Sequence, residues 1–297
     1  MTIMEKQMKE KRHSNSLLEN VKIRDFVDED GEDIRRIYAD SMLSNVPYAL
    51  SSTMQHRHIL CLWIGLTYFT VKNHSASRIT LMIIVFIGWG IFLYVNANRF
   101  ITNLISYETR QVILRELSKV KEYYSTKPQS LYNVVTTKPE KQHKDHSSII
   151  DSHSVYGELL PFKFNDQISK FWVAVDKRSG NRVIGFLALR DDETKRRKIQ
   201  EHEPQIKYLC VDTNYMRQGV ATLLMQHAIK FAYKRKVMRI GVTASTWHEP
   251  AAEMFYRFGF REVMREAINY GLAEKVKLSL DVESWIRYRK ARKLCSS

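Results

Sequence analysis

The stretch from Gln205 to Tyr233, QIKYLCVDTNYMRQGVATLLMQHAIKFAY, constrains the fold more than any other part of the chain. Ile206 to Val211 is a mostly apolar run of strand length, broken by Asp212, Thr213 and Asn214. Behind Gly219 a helical pattern opens, with Val220, Leu223, Leu224, Ala228, Phe231 and Ala232 forming an apolar stripe. A strand that passes through a glycine turn into a helix start makes an anion site. The first amides of the helix have no partner inside it, and the helix dipole adds partial positive charge. Gly219 lets the backbone approach a ligand closely, and the small Ala221 leaves room for a phosphate. Such a turn also serves elsewhere as a plain structural cap, so its neighbours have to decide.

Two other stretches carry no charge: Ile59 to Val71 (ILCLWIGLTYFTV) and Ile79 to Val95 (ITLMIIVFIGWGIFLYV), joined by KNHSASR. At ~1.5 Å per residue they are roughly 20 and 25 Å long as helices, against a hydrocarbon core of ~30 Å. Each is short for a clean crossing. The second is apolar on every face, which favours lipid over a buried helical hairpin in a soluble core. Trp63, Tyr68, Trp89 and Tyr94 suit a membrane interface, and Lys72 and Arg78 at the tip argue for a shallow hairpin.

With 47 Lys+Arg against 32 Asp+Glu, the net charge of +15 suits nucleic acid, an anionic membrane or a phosphorylated cofactor. No nucleic-acid module is present, and the aromatic residues do not interleave with the basic runs as a stacking platform requires. Three scattered cysteines, Cys61, Cys210 and Cys295, give no disulfide framework and fit reducing cytosol. Residues 1–20 are polar and read as a flexible arm without the apolar core of a signal peptide.

From there the chain alternates elements. Val21 to Phe26 is a first strand, followed by capping carboxylates and a helix with Ile34, Ile37, Tyr38 and Met42 on one face. Arg35 and Arg36 lie mostly off that face and read as solvated charges. Asn98 to Tyr124 is helix-like and polar. Residues 125–170 hold three prolines and a long polar run, and read as a flexible insertion. Its His143, His146, His153, Asp145 and Asp151 match no metal-ligand spacing, so no metal is expected. Phe171 to Val175 and Arg182 to Leu189 are strands around a Ser179-Gly180 turn, and Met238 to Thr243 is another. Glu249-Pro250 opens a helix that Gly259 stops. Arg261 to Met264 and Lys275 to Leu280 are the last strands. The last helix, Val282 to Arg292, opens a basic amphipathic tail over 283–297 and reads as a membrane-surface helix, with a solvated basic tail as the alternative.

Met216 to Ala221 resembles the acetyl-CoA signature of the GNAT N-acetyltransferases, Q/R-x-x-G-x-G/A, with Met216 in place of the first Gln or Arg. The chain looks most like the membrane-bound, camello-type branch, which includes cysteine S-conjugate and aspartate N-acetyltransferases. The stretches that carry this are VKIRDF with RRIYADSM, the apolar hairpin, EYYSTKP, FWVAV, VIGFLAL, CVDTNYMRQGVATLL and AAEMFYRFGF. The resemblance implies an α+β GNAT acetyltransferase fold, a mixed sheet spanning residues 21–282, interrupted by the membrane hairpin at 59–95 and the insertion at 125–170. Because Val21 to Phe26 has to join the same sheet as Ile206 to Val211, the apolar segment has to enter and leave on one side of the bilayer. The family places that hairpin on the endoplasmic reticulum membrane, and acetyl-CoA and reduced cysteines point to the cytosolic face for the catalytic domain.

The resemblance also implies a reaction: direct transfer of acetyl from the cosubstrate acetyl-CoA to a primary amine of a small molecule, an amino acid such as aspartate or a cysteine S-conjugate. Protein lysine acetylation and a catalytically weak CoA-binding scaffold are the alternatives. Backbone groups near Leu209 and Val211 would face the thioester and pantetheine across a splay in the sheet. The amides of Met216, Arg217, Gln218, Gly219, Val220 and Ala221 would take the pyrophosphate. The family's early-strand glutamate falls on Gln205, which accepts no proton at neutral pH, so Glu203 is the candidate base through water. The family's tyrosine falls on Phe255; Tyr256 is the candidate acid, one helical step or ~100° away. Cys210 reads as a core residue, not a nucleophile.

Overall fold

The structure, a computed structural model, describes residues 18–72, 78–124, 168–191, 203–268 and 271–294. Its centre is a seven-stranded mixed sheet: β1 (Val21–Asp25), β2 (Lys170–Asp176), β3 (Arg182–Arg190), β4 (Gln205–Val211), β5 (Arg239–Ser245), β6 (Arg261–Ile268) and β7 (Ala273–Asp281). The strands lie in the order β1-β2-β3-β4-β5-β7-β6. Every neighbouring pair is antiparallel except β4 and β5.

Alternation along the strands builds two cores. On one face Trp172, Leu187, Ile206, Val242 and Leu278 pack under α6 (Val220–Lys234), α7 (Glu249–Phe258) and α8 (Val282–Leu294). On the other, Phe171, Val173, Phe186 and Cys210 pack under α1 (Gly31–Leu43) and α5 (Val120–Tyr124). The register between β3 and β4 slips between Ala188 and Leu189, so Lys207 has no partner in the ladder. That bulge is why Ile206 and Leu209, three apart, share one face while Tyr208 and Cys210 share the other.

Between α1 and α5 lie α2 (Val46–Met54), which the sequence pattern does not show, α3 (Arg57–Lys72) and the 35-residue α4 (Arg78–Val112). The expected end of the second apolar run at Val95 is no boundary. Nothing between Val95 and Asn98 breaks a helix, so α4 continues into the polar stretch, and a π-helical turn (Ile113–Leu117) finishes it. Trp63 of α3 stacks on Phe86 of α4 at 4.4 Å and donates from Nε1 to the Phe86 carbonyl at 2.9 Å. The far half of α4 docks on the domain through Ile101 and Ile105, against Ala49, Leu50 and Trp247. The near half does not: Ile84, Ile87, Ile91 and Phe92 are exposed, as are Leu62, Ile64 and Phe69 of α3. Met82–Leu117 is long and apolar enough to cross a membrane by length and composition; α3, at 16 residues, is shorter.

Three expectations need adjusting. Ile168 is buried and β2 begins at Lys170, so the last residues of the expected 125–170 insertion belong to the core, the rest lying outside the described residues. Arg36 is not simply solvated, since it pairs with Asp33, Asp40 and Asp212. In α8, Trp285 is buried and stacks on Phe258 with Arg289 over its ring, so the apolar side of that helix faces the protein.

Candidate active site

β4 and β5 are each seven residues long, yet they pair only at Gln205–Gly241 and Ile206–Val242. Beyond Ile206 they part. β4 stays bound to β3 as far as Val211, opposite Gly185, so β5 is the strand that leaves. The carbonyl and amide groups of β4 on its β5 side, including those near Leu209 and Val211, therefore face a gap between two strands of one sheet. A Cβ on Gly185 would stand 2.9 Å from the Cys210 carbonyl oxygen, so only glycine lets β3 lie this close beside the gap.

At the open end of β4 the chain turns sharply. Asp212 accepts from the Asn214 amide at 3.0 Å and is clasped by Arg36 at 3.1 Å and Arg182 at 4.0 Å. Burial opposes its charge, but the Asn214 amide and the two guanidinium groups hold the carboxyl below the usual carboxylate range. Arg217 and Gly219 then take left-handed backbone, φ 58° and φ 91°. Gly219 is the N-cap of α6 and, having no side chain, leaves the first-turn amides uncapped by the residue that normally serves them. Met216, Gln218 and Ala221 are half-buried, Arg217 is exposed, and Val220 is sunk in the core as the first helical anchor. These residues fit a diphosphate: the donors are main-chain amides, converging at a helix N-terminus. Leu18 lies over the turn, with its Cδ1 3.2 Å from where a Cβ on Gly219 would stand.

The two proposed proton carriers approach from opposite faces of the sheet. Glu203, just before β4, lies 3.7 Å from Lys277 and within 3.4 Å of the Gln205 amide nitrogen, and its other oxygen is buried without a partner. Gln205 folds over the Cα of Gly241. Phe255 is in the core, edge-on to Phe260 at 5.5 Å, as a tyrosine hydroxyl could not be without a partner. One step round α7, Tyr256 is 44% exposed and donates to Glu262 at 3.3 Å. It lines a cleft of about 680 Å³ with Ala244, Ser245 and Thr246, at the end of β5 that has left β4, and with Val276 of β7. Val276 and Lys277 are successive on a strand, so the cleft and the Glu203 pair lie on opposite sides of it. Cys210 is buried, which pushes its thiol up to about 12 despite hydrogen bonds from Ser41 and the Leu209 backbone. A thiol of that kind is a poor nucleophile at neutral pH.

Some polar groups here were not legible in the sequence. His56, at the end of α2, lines the same cleft as Tyr256 with a buried Nδ1 that has no partner. On the other face Tyr208 of β4 donates to Glu116 of the π-helical turn at 2.5 Å, with Arg190 3.8 Å from the same carboxylate. Both contacts come from the helices inserted after α1, whose placement no local pattern encodes. Among the described residues no cluster of His, Cys, Asp or Glu could hold a metal ion.

Residues 129–260, a span ending one residue past the Gly259 cap of α7, match the model of the acetyltransferase (GNAT) family. Comparison with curated proteins finds no match. Among solved structures, the chain is similar to a GNAT acetyltransferase from Staphylococcus aureus at 10% identity and TM-score 0.40, over 88% of this chain and 99% of that one. It is similar at 16% identity and TM-score 0.33 to the ribosomal-protein-S18-alanine N-acetyltransferase of Escherichia coli, over 39% and 71% of the two chains. An acetyltransferase from Bacillus anthracis in complex with acetyl coenzyme A shares 19% identity at TM-score 0.32, over 38% of this chain. The alignment spans only 63% of that Bacillus anthracis protein. Likeness at this level decides neither substrate nor partner. The glycine turn and the strand divergence rest on the chain's own geometry.

Proposed function

We propose that this chain is a membrane-bound N-acetyltransferase, moving acetyl from acetyl-CoA directly to the primary amine of a small molecule. One observation carries the reading: β4 parts from β5 after two paired residues, beside a helix start that Gly219 leaves uncapped. Acetyl-CoA supplies an activated acyl thioester. The backbone near Leu209 and Val211 holds its arm in the gap, and the amides from Met216 to Ala221 hold its diphosphate. The amine attacks the thioester carbonyl carbon. Glu203 takes the ammonium proton through water, and Tyr256 gives a proton to the departing sulfur. Cys210 takes no part, because direct transfer needs no acyl-enzyme.

The exposed apolar faces of α3 and α4 support insertion in a membrane. We place the domain on the cytosolic face of the endoplasmic reticulum, with both ends of the chain on one side. The acceptor is an amino acid such as aspartate, or a cysteine S-conjugate. The test is the purified full-length chain in lipid nanodiscs with radiolabelled acetyl-CoA and a panel of amino acids, S-conjugates and peptides. Labelled small amines support the proposal, and labelled peptides alone would make it a protein acetyltransferase. Cofactor binding with no transfer would leave a scaffold, the reading that the buried Phe255 favours. No affinity for coenzyme A in any acylated state overturns all three.

A further inference from the structure

The cleft beside Tyr256 does not end where its polar lining ends. A second cavity of about 500 Å³ adjoins it, lined by Pro47, Leu50, Met54, Leu60, Trp63 and Tyr94. Ser51 of α2 and Gln55, the residue after its end, line both spaces. They are four apart, on one face of a helical turn, so a single edge of α2 separates a polar chamber from an apolar one. The apolar chamber is walled by α2 and by the roots of α3 and α4.

The polar chamber has unmet demand. Of the six buried side-chain nitrogen or oxygen atoms without a partner among the described residues, four are on Thr53, His56, Trp247 and His248. These belong to the end of α2 and the turn after β5, which pack on each other, and of the four His56 is the one that lines the chamber. Buried polar atoms are nearly always satisfied, so a local surplus marks where a polar ligand group or water completes the bonding. Arg57 lines the chamber too, while Arg265 there is tied to Glu262 and Glu274.

Resting on the acetyltransferase reading, we infer that the acceptor is a primary amine with an apolar tail, which favours an S-conjugate over aspartate among the acceptors named above. Its amino group enters the gap between β4 and β5 from the chamber of His56 and Tyr256, and its tail passes Ser51 and Gln55 into the chamber of Leu60, Trp63 and Tyr94. A wholly polar acceptor would leave the second chamber wet against apolar walls; a wholly apolar one would leave the first unsatisfied.

Two measurements on the full-length chain in nanodiscs test this. In the first, kcat/KM is measured for straight-chain amines from ethylamine to octylamine with acetyl-CoA. It is expected to rise by up to roughly fourfold per methylene, and Leu60→Asn is expected to flatten the rise. Transfer that is independent of chain length overturns this inference while leaving the acetyltransferase reading intact. In the second, an octylamine with a diazirine at its tail is photolysed on the protein and the adducts are mapped. This readout needs no turnover. Adducts on residues 47–63 and Tyr94 that unlabelled octylamine competes away are the expected result. Adducts spread along the outer faces of α3 and α4, unaffected by competitor, show partition into lipid and overturn it.

Discussion

Gly219 illustrates how a single residue can hold a site open. Its φ of 91° lies where a Cβ collides with the backbone, and Leu18 Cδ1 stands 3.2 Å from where a methyl would sit. Gly219→Ala is therefore expected to pull the turn out of shape by roughly 1–2 kcal/mol, weakening acetyl-CoA binding about tenfold, as read by isothermal titration. The pair Phe255 and Tyr256 makes the complementary point. A helix turns ~100° per residue, so the aromatic ring at the position that resembles the family's tyrosine is committed to the core, while the hydroxyl one step on faces the cleft. With Tyr256 as the acid, Tyr256→Phe lowers kcat by roughly 10²-fold while the affinity for acetyl-CoA holds. An unchanged kcat would assign the proton to another group.

At the scale of elements, the gap depends on β4 keeping β3 while losing β5. Gly185 is the residue that makes the first half possible. A methyl there meets a backbone carbonyl that cannot rotate away, so Gly185→Ala should destabilise the domain by about 1–3 kcal/mol in chemical denaturation. It should weaken acetyl-CoA binding too, since Val211 is its partner in the ladder. Most elements were readable from the chain alone. β2 and β3 came within a residue or two at each end, because apolar runs bounded by a Ser-Gly turn leave little choice. α2 was not readable. It is short, and its buried residues Ala49, Leu50 and Thr53 acquire meaning only when α4 and Trp247 cover them. α4 was read in two pieces because hydropathy changes at Asn96 while helix propensity does not.

For the molecule as a whole, two histidines set a response to acid. Burial holds both His248 and His227 below their usual value of 6.5; for His227, Lys230 and Lys234 add to this against the pull of Asp25. Below pH 6.5 the unfolded chain takes up protons that the folded one refuses, so stability falls as pH drops from 6.5 toward the folded values. The melting temperature should decline between pH 7.5 and 5.5, and less steeply in a His227→Gln, His248→Gln double variant. Asp212 acts later, its contribution being lost only as pH falls through a carboxylate value already depressed. The exposed apolar half of α4 gives the last prediction. Membrane-bound chain should resist carbonate extraction, and Ile84→Asp with Ile91→Asp should shift it to the soluble fraction while acetyl-CoA binding persists.

The sequence by itself determined most of the elements and the glycine turn ahead of α6, because periodicity, a glycine at a helix start and charge-free runs are local properties. Only the tertiary structure decided that β4 and β5 separate, that Tyr256 and His56 share a chamber, and that Glu203 faces Lys277. Those relations join residues far apart in the chain, and they arise from strand order and from helices packing across the sheet, which no single stretch encodes.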